Sequence, residues 1–171
     1  MLFRVIWYAF NGGVKLSIEK VRKYFAARGM EDQILEFDVS SATVELAAKA
    51  LNCDGCLIAK TLSFLVHDDV ILIVAPGDVK IDNHKYKMHF GVKAKMLPAA
   101  EAEQLIGHAV GGVCPFAVNE GVKVFLDESL KRFEFVYPAC GSSNSAIKLT
   151  IPELEKNTDH FSGWVDVCKL K

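Results

Sequence analysis

The sequence predicts an α+β fold built on a mixed β-sheet that is curved or partly closed. Short apolar strands and helices are interleaved along the chain without the regular period of βαβ units. The segment from residue 70 to 75, VILIVA, is apolar at every position, which indicates a central strand buried on both faces. With 171 residues, 51% of them hydrophobic and 24% charged, the chain is long enough for one well-formed core.

We expect one domain, covering residues 15–171. Residues 1–14 are apolar but short, carry an arginine and lack a small-residue cleavage site, so they fit a signal peptide poorly. They are expected to form an N-terminal extension of unclear role, because a compact helix pattern begins only at Ser17.

Helix caps, turn residues and apolar periodicity predict the elements in order. Ser17 can cap a first helix, and Gly29 stands where that helix would stop. Apolar residues recur between them at helical spacing: Ile18, Val21 and Phe25. Up to residue 107, the other predicted elements are a strand at 34–39, a helix capped by Thr43 and ending at 51, strands at 57–66 and 70–75, a helix from its cap Asp82 to Phe90 with Gly91 as its stop, a strand at 93–97 and a helix opened by Pro98.

The second half of the chain begins with a loop rather than with a helix or strand. Residues 107–115, GHAVGGVCP, contain three glycines and a proline, which suits a backbone that approaches a ligand closely. We call this segment the glycine-rich loop, and the polar segment GSSNS at residues 141–145 the serine loop. The elements predicted around them are strands at 122–126, 133–137 and 146–150, a turn capped by Asp127, a helix from Pro152 and an edge strand at 164–168.

A lysine in LIAKTLSFLV, residues 57–66, lies on the more apolar side of its predicted strand. Because side chains alternate along a strand, Lys60 shares its face with aliphatic and aromatic residues. These are Ile58, Leu62, Phe64 and Val66. Burial of even a neutral polar group without a partner costs roughly 2–7 kcal/mol, and an ion costs more. The lysine therefore extends to solvent at a sheet edge, meets an anion in a cavity, or belongs to a helix in which the alternation is accidental.

Composition limits the classes of function. The net charge of −1 gives no overall attraction to nucleic acid or membranes, so a polyanion would need a local basic patch. Residues 80–95 offer five lysines against one acid: Lys80, Lys85, Lys87, Lys93 and Lys95. This run is either a solvated helix face or a contact for an RNA acceptor stem. Five cysteines, an odd number, indicate reduced thiols in a cytoplasmic setting, and no apolar run approaches the roughly 20 residues that span a bilayer.

Three segments together resemble the YbaK / prolyl-tRNA synthetase-associated domain family. They are IAKTL around Lys60, the glycine-rich loop, and GSSNSAIKLT at residues 141–150, in the family's order and approximate spacing. The resemblance covers about residues 17–168. It implies a pseudobarrel of six to seven mixed strands with helices packed outside. It also implies hydrolysis of mischarged aminoacyl-tRNA, most often cysteinyl- or alanyl-tRNA of the proline acceptor, by a domain that is free-standing or inserted.

The same resemblance assigns roles to individual residues. The family's lysine falls on Lys60, which would contact the substrate near the aminoacylated ribose and its phosphate. Backbone N–H groups of Gly111 and Gly112 would hold the oxyanion, a role worth roughly 2.7–4 kcal/mol per donor in other hydrolases. Other residues expected to bind substrate are Phe37, Thr61, Gly107, His108, Pro115, Asn144, Ser145 and Ala146, and the five lysines of residues 80–95 are expected to bind tRNA. The best-known bacterial member has an acidic residue close to Ala146 that this sequence lacks, which leaves the amino acid specificity open.

The mechanism implied by the resemblance uses no protein nucleophile, cofactor or metal. Water, the free ribose hydroxyl or the substrate's own side chain attacks the ester. The expected partners are aminoacyl-tRNA and, in a transient complex, prolyl-tRNA synthetase, with the protein itself a monomer or weak homodimer.

Two other functions stay open from the sequence. Cys114 and His108 flank the glycine turn and would form a thiol-dependent hydrolase if the loop folded back on itself. A non-catalytic module that binds tRNA or a synthetase is the second alternative. Cys53 and Cys56 have CxxC spacing but lack the second pair that a structural zinc site needs, so they are interpreted as ordinary loop cysteines.

Overall fold

The computed structural model describes residues 16–171, so the N-terminal extension predicted at residues 1–14 lies outside the described residues. The helices are α1 (residues 16–26), α2 (Val44–Leu51), α3 (Asn83–Phe90), α4 (Ala99–Ile106) and α5 (Ile151–Asn157). The strands are β1 (Ile34–Glu36), β2 (Ile58–Val66), β3 (Asp69–Pro76), β4 (Val79–Ile81), β5 (Lys123–Asp127), β6 (Phe135–Pro138), β7 (Ser145–Ile147), β8 (Leu149–Thr150), β9 (Phe161–Val165) and β10 (Cys168–Leu170). Short 3-10 turns occupy Glu31–Gln33, Gly55–Leu57 and Glu128–Arg132.

Six strands form one mixed sheet in the order β8-β6-β2-β3-β5-β9, which curls into a half-barrel. β2 pairs with β3 antiparallel and with β6 parallel, while β3, β5 and β9 run parallel to one another. Two small antiparallel ribbons, β1 with β7 and β4 with β10, flank this sheet. The predicted α+β class with a curved mixed sheet is confirmed, and the six main strands agree with the number that the family resemblance implies.

The strand β3 lies in the middle of the sheet and is buried on both faces, as its uniform apolar composition predicts. Leu72 and Val74 pack into a core shared with α1, α4 and the glycine-rich loop. Ile73 and Ala75 pack on the other side, in a core shared with α3 and the β4–β10 ribbon. The sheet therefore separates two apolar layers, and Lys60 on β2 lies opposite Ala75 of β3.

Local capping explains where most helices begin and end. The Thr43 side chain accepts a hydrogen bond from the backbone of α2, and the Asp82 carboxylate does the same for α3. Gly91 ends α3 in the left-handed conformation that favours glycine. Pro98 precedes α4 as predicted. Thr150 and Glu153 form a capping box at the start of α5.

Some predicted boundaries are wrong. Ser17 lies inside α1 rather than capping it, and its hydroxyl is hydrogen-bonded to the buried His108. Residues 93–97 do not form a strand, because only Met96 bridges to β2 before Pro98 turns the chain away. Predicted strand 146–150 is divided into β7 and β8, and the three-residue β4 was not predicted. In the described part of the chain, no helix has the length and apolar character required to cross a membrane.

Candidate active site

A cavity of about 290 Å³ opens between the edge of β2, the start of α2, the start of α4 and the two polar loops. Small side chains dominate its wall. The lining residues are Ser41, Ala42, Thr43, Val44, Ala47, Ile58, Ala59, Lys60, Thr61, Ser63, Met96, Leu97, Ala99, Ala102, Val110, Gly111, Val113, Tyr137, Ala139, Ser145 and Ala146. No aspartate or glutamate is among them, and Lys60 is their one amine. The cavity is thus a weakly polar site for a small group.

Five of the predicted site residues meet in this lining. They are Lys60, Thr61, Gly111, Ser145 and Ala146. Residues from three separate parts of the chain therefore meet in the lining of one cavity. The other predicted site residues are not part of this lining: the catalytic candidate Gly112 and the substrate-binding candidates Phe37, Gly107, His108, Pro115 and Asn144.

The two glycines at the tip of the glycine-rich loop have different surroundings. Gly111 has φ +89°, and a Cβ added there would lie 3.3 Å from Ser143 Cβ and 3.4 Å from Ala42 Cβ. A Cβ added to Gly112 would lie 2.5 Å from the backbone carbon of Gly141, which no real structure tolerates. Gly112 lets the glycine-rich loop lie against the serine loop, and Gly111 is the glycine that faces the cavity.

Lys60 is partly buried, and its ammonium donates a hydrogen bond to the carbonyl oxygen of Val79 in β4. Burial, followed by the nearby charge of Lys171, lowers the pKa of this ammonium. Cys168, Asp78 and Glu45 act on this pKa in the opposite direction. The lysine is thus partly desolvated and bound to a neutral acceptor, and within residues 16–171 no carboxylate forms an ion pair with it.

The serine loop is held by its own side chains and by the segment after β1. Ser142 Oγ lies 2.7 Å from Ser145 Oγ and 2.9 Å from Asn144 Oδ1. Asn144 Nδ2 donates to the Phe37 carbonyl, and the Phe37 N–H donates to the Asn144 carbonyl. Phe37 and Asn144 therefore fix the position of Ser145, which lines the cavity, without lining it themselves.

The base of the glycine-rich loop does fold back on itself and brings Cys114 to 3.5 Å from His108 Nε2. However, His108 Nε2 lies 2.6 Å from the Phe116 carbonyl oxygen, which can only accept, so Nε2 carries the proton. His108 Nδ1 then accepts from the Ser17 hydroxyl at 2.7 Å. Both imidazole nitrogens are already used, and neither can take a proton from the thiol.

Burial keeps this pair in its neutral form. It lowers the pKa of His108 to about 4 and raises the pKa of the Cys114 thiol to about 12. Neither side chain has measurable exposure. The arrangement argues against the thiol-dependent hydrolase, because a reactive thiolate needs a depressed pKa and access to substrate.

Gly107 and Pro115 close the two ends of the same loop. Gly107 ends α4 with φ +95°, and a Cβ there would meet the side chains of Asn119 and Lys20 within 2.7 Å. The Pro115 carbonyl accepts from the Asp159 N–H at 2.8 Å. Both positions hold the loop in place at a distance from the cavity lining.

The predicted tRNA-binding lysines are exposed to different degrees. Lys80, Lys87, Lys93 and Lys95 are exposed, whereas Lys85 is partly buried. Lys85 is bound to Asp166 at 2.7 Å and to the Cys168 carbonyl. Lys93 and Lys95 lie on the segment that continues directly into Met96 and Leu97, two residues of the cavity wall. That segment connects the basic patch to the cavity.

Cys53 and Cys56 are free thiols, as are the other three cysteines. Within residues 16–171, no group of three or more side chains of metal-ligating type occurs.

Sequence reasoning missed the wall contributed by residues 41–47. The run of small polar residues before α2 was noted only for its cap, Thr43. A stretch of serine, alanine and threonine at a helix start is common for capping alone, so it carried no specific signal for a site. Ser63 and Tyr137 were missed for a different reason: the residues that surround them in the cavity come from distant parts of the chain.

The sequence profile of the family described as the aminoacyl-tRNA editing domain matches residues 39–157 of this chain. Among curated proteins, the chain is 51% identical over 156 residues to the uncharacterized protein YwhH of Bacillus subtilis (strain 168), a match that covers 90% of this chain and 98% of YwhH. It is 23% identical over 126 residues to a proline–tRNA ligase of Lactiplantibacillus plantarum. This match covers 73% of this chain and 22% of the ligase.

A solved structure with the same fold is described as that of a proposed trans-editing enzyme for prolyl-tRNA synthetase. It is 26% identical in sequence and superposes with a TM-score of 0.79, covering 90% of this chain and 97% of that one.

Proposed function

Because the chain belongs to the aminoacyl-tRNA editing domain family, we propose that it is a trans-acting deacylase that hydrolyses the ester of mischarged tRNA. The observation that carries this proposal is the single cavity in which Lys60, Gly111 and Ser145 meet. Its small, weakly polar wall suits a small amino acid, and the relatives named for proline–tRNA ligase and prolyl-tRNA synthetase support the proline acceptor. The choice of cysteinyl- or alanyl-tRNA comes from the family resemblance. The proposed active unit is residues 15–171.

In the proposed reaction, water attacks the ester carbonyl, the bond between the carbonyl carbon and the ribose oxygen breaks, and the proton of the attacking water passes to that ribose oxygen, which releases the amino acid and the tRNA. The described residues provide no intramolecular acceptor for the Gly111 N–H, so this donor is free to stabilise the oxyanion of the tetrahedral intermediate. Gly112 keeps that donor in position through its contact with the serine loop. Positioning and electrostatic stabilisation are sufficient because an aminoacyl ester is already reactive.

Lys60 has a separate proposed role. On binding tRNA, its ammonium exchanges the Val79 carbonyl for an anionic oxygen near the terminal ribose, because an ammonium binds an oxygen that carries a full negative charge more strongly than a neutral carbonyl oxygen. Part of the cost of desolvating the lysine is already met in the free protein, where burial lowers its pKa.

The exposed lysines Lys80, Lys87, Lys93 and Lys95 are proposed to contact the acceptor stem, with Lys85 contributing less because Asp166 pairs with it. Replacing both Lys93 and Lys95 by alanine should raise KM and leave kcat nearly unchanged. The dependence of kcat/KM on salt should also become shallower, by about one unit of slope for each lysine–phosphate ion pair removed. An unchanged salt slope in this double variant would count against the proposed role of these two lysines.

We propose a cytoplasmic setting, a monomer or weak homodimer, and at most a transient complex with prolyl-tRNA synthetase. The test is deacylation of Cys-, Ala-, Ser- and Thr-charged tRNA by the purified protein and by Lys60→Ala. The wild type should hydrolyse at least one ester, Lys60→Ala should lose at least about 100-fold in rate, and the control Lys156→Ala, at an exposed position on α5, should resemble the wild type. Tight tRNA binding with no ester loss would identify a non-catalytic module instead.

A further inference from the structure

The cavity contains an unpaired stretch of β-strand. β6 pairs with β2 only through Ile58 and Ala59. Farther along the same edge, the segment at residues 95–97 bonds to Ser63 and Leu65. Between these two partners, the edge of β2 opens onto the cavity at Thr61.

The direction of the Thr61 main-chain groups follows from its neighbours. Ser63 accepts from the Leu97 N–H at 3.0 Å, and Leu65 donates to the Lys95 carbonyl at 2.9 Å, both at the edge away from β3. The N–H and C=O of one strand residue point to the same edge, and alternate residues point the same way. Thr61 therefore directs both groups into the cavity, where the described residues supply neither an acceptor nor a donor.

The register also shows why this place is empty. Met96 lies opposite Phe64 in an antiparallel bridge, so the residue opposite Thr61 would be Ala99. Pro98 intervenes, and Ala99 begins α4 instead of continuing as a strand. One residue position of a β-ladder is vacant, with its donor and its acceptor both exposed.

We infer that this vacancy binds the aminoacyl group of the substrate as a single added residue of the sheet. An aminoacyl ester carries its α-ammonium and its carbonyl at the spacing of a strand residue. The ammonium donates to the Thr61 carbonyl oxygen, and the ester carbonyl accepts from the Thr61 N–H, as in one hydrogen-bonded pair of antiparallel strands. This inference rests on the proposed function and adds the chemical group that is recognised, a free α-amino group.

The composition of the cavity supports the inference. Without an aspartate or glutamate in the lining, an α-ammonium must be bound by neutral acceptors, and the Thr61 carbonyl is an unused one at the open edge. The Lys60 ammonium is turned towards Val79 and does not occupy this position. Recognition through main-chain groups is independent of the substrate side chain, whose size is limited separately by the alanines of the wall.

The decisive experiment removes the amino group from the substrate. Alanyl-tRNA is compared with propionyl-tRNA, and cysteinyl-tRNA with 3-mercaptopropionyl-tRNA, each kcat/KM being divided by the uncatalysed hydrolysis rate of the same ester. Loss of a charge-assisted hydrogen bond should lower the corrected kcat/KM of the deaminated ester by about 10- to 100-fold. Equal corrected values would overturn the inference and leave the proposed function intact. Failure to cleave any aminoacyl-tRNA would overturn both.

A pair of variants tests the same vacancy from the protein side. Thr61→Pro removes the N–H at a strand edge where proline is tolerated, and Thr61→Val keeps it. The preference for alanyl- over propionyl-tRNA should shrink in Thr61→Pro and persist in Thr61→Val, with circular dichroism confirming that each variant is folded. A preference that is unchanged in a folded Thr61→Pro variant would contradict the inference. The wild-type substrate comparison decides independently if that variant does not fold.

Discussion

The tip of the glycine-rich loop, at Val110 and Gly111, and its base, at His108 and Cys114, differ in the reactivity of their side chains and in their access to the cavity. At the base, His108 and Cys114 have potentially reactive side chains, yet both are buried. His108 is hydrogen-bonded to the Phe116 carbonyl, and Cys114 lies against His108. At the tip, Val110 and Gly111 have no reactive group, yet they line the cavity. In this loop the reactive side chains stabilise the structure, and the backbone of the inert residues faces the candidate substrate.

The largest contrast is expected between two adjacent glycines. Gly112→Ala should destabilise the fold by about 3 kcal/mol or more, because its Cβ would overlap the backbone of Gly141, which cannot move aside cheaply. Gly111→Ala should remain folded, with a cost of about 1 kcal/mol for its positive φ, but should lose at least about 10-fold in deacylation. Thermal denaturation and single-turnover rates measure the two effects. If Gly111→Ala were as unstable as Gly112→Ala, the proposed difference in role between these two adjacent glycines would be wrong.

An intermediate effect is expected on the free energy of unfolding at low pH, through His108. Its pKa is lowered from 6.5 to about 4, so the unfolded chain binds the proton first as pH falls. This contribution to stability is complete above pH 6.5 and declines down to about pH 4, a loss of roughly 3 kcal/mol. Urea denaturation across this range should show the decline in the wild type and not in His108→Gln.

The control for that experiment is His84→Gln, at an exposed position on α3 outside the buried network. It should keep the wild-type decline between pH 6.5 and 4. If His108→Gln showed the same acid slope as this control, His108 would not be the residue responsible.

The smallest effect is expected at the thiol. Cys114→Ala should cost about 1–2 kcal/mol of stability through poorer packing and leave deacylation within about twofold of the wild type. Its buried, protonated state gives it no route to the ester. Loss of activity in a folded Cys114→Ala protein would restore the thiol-dependent hydrolase and reverse the comparison between tip and base.

Much of the fold was predictable because its signals are local. Thr43, Asp82 and Gly91 mark helix ends through side-chain oxygens and a positive φ that act within a few residues. The apolar run of β3 needed no partner to be recognised as a central strand. The false strand at residues 93–97 shows the limit, because pairing there stops at one bridge for a reason that lies in the direction of the chain after Pro98.

The candidate site was predictable only in part. Alternation along β2 placed Lys60 on the apolar face, and the structure gives it a carbonyl partner, Val79, that no pattern could indicate. The division of labour between Gly111 and Gly112 depends on contact with a loop 30 residues away along the chain, at Gly141. The open edge at Thr61 depends on where β6 and the segment at residues 95–97 stop pairing with β2. The sequence of the strand itself does not show this.

Pro98 has a further consequence for the cavity. If the chain after Pro98 continued as a strand instead of entering α4, Ala99 would pair with Thr61. The protein's own backbone would then compete with substrate intramolecularly, at an effective concentration that no dissolved ligand reaches. The start of α4 directly after Pro98 thus prevents the protein from becoming its own inhibitor.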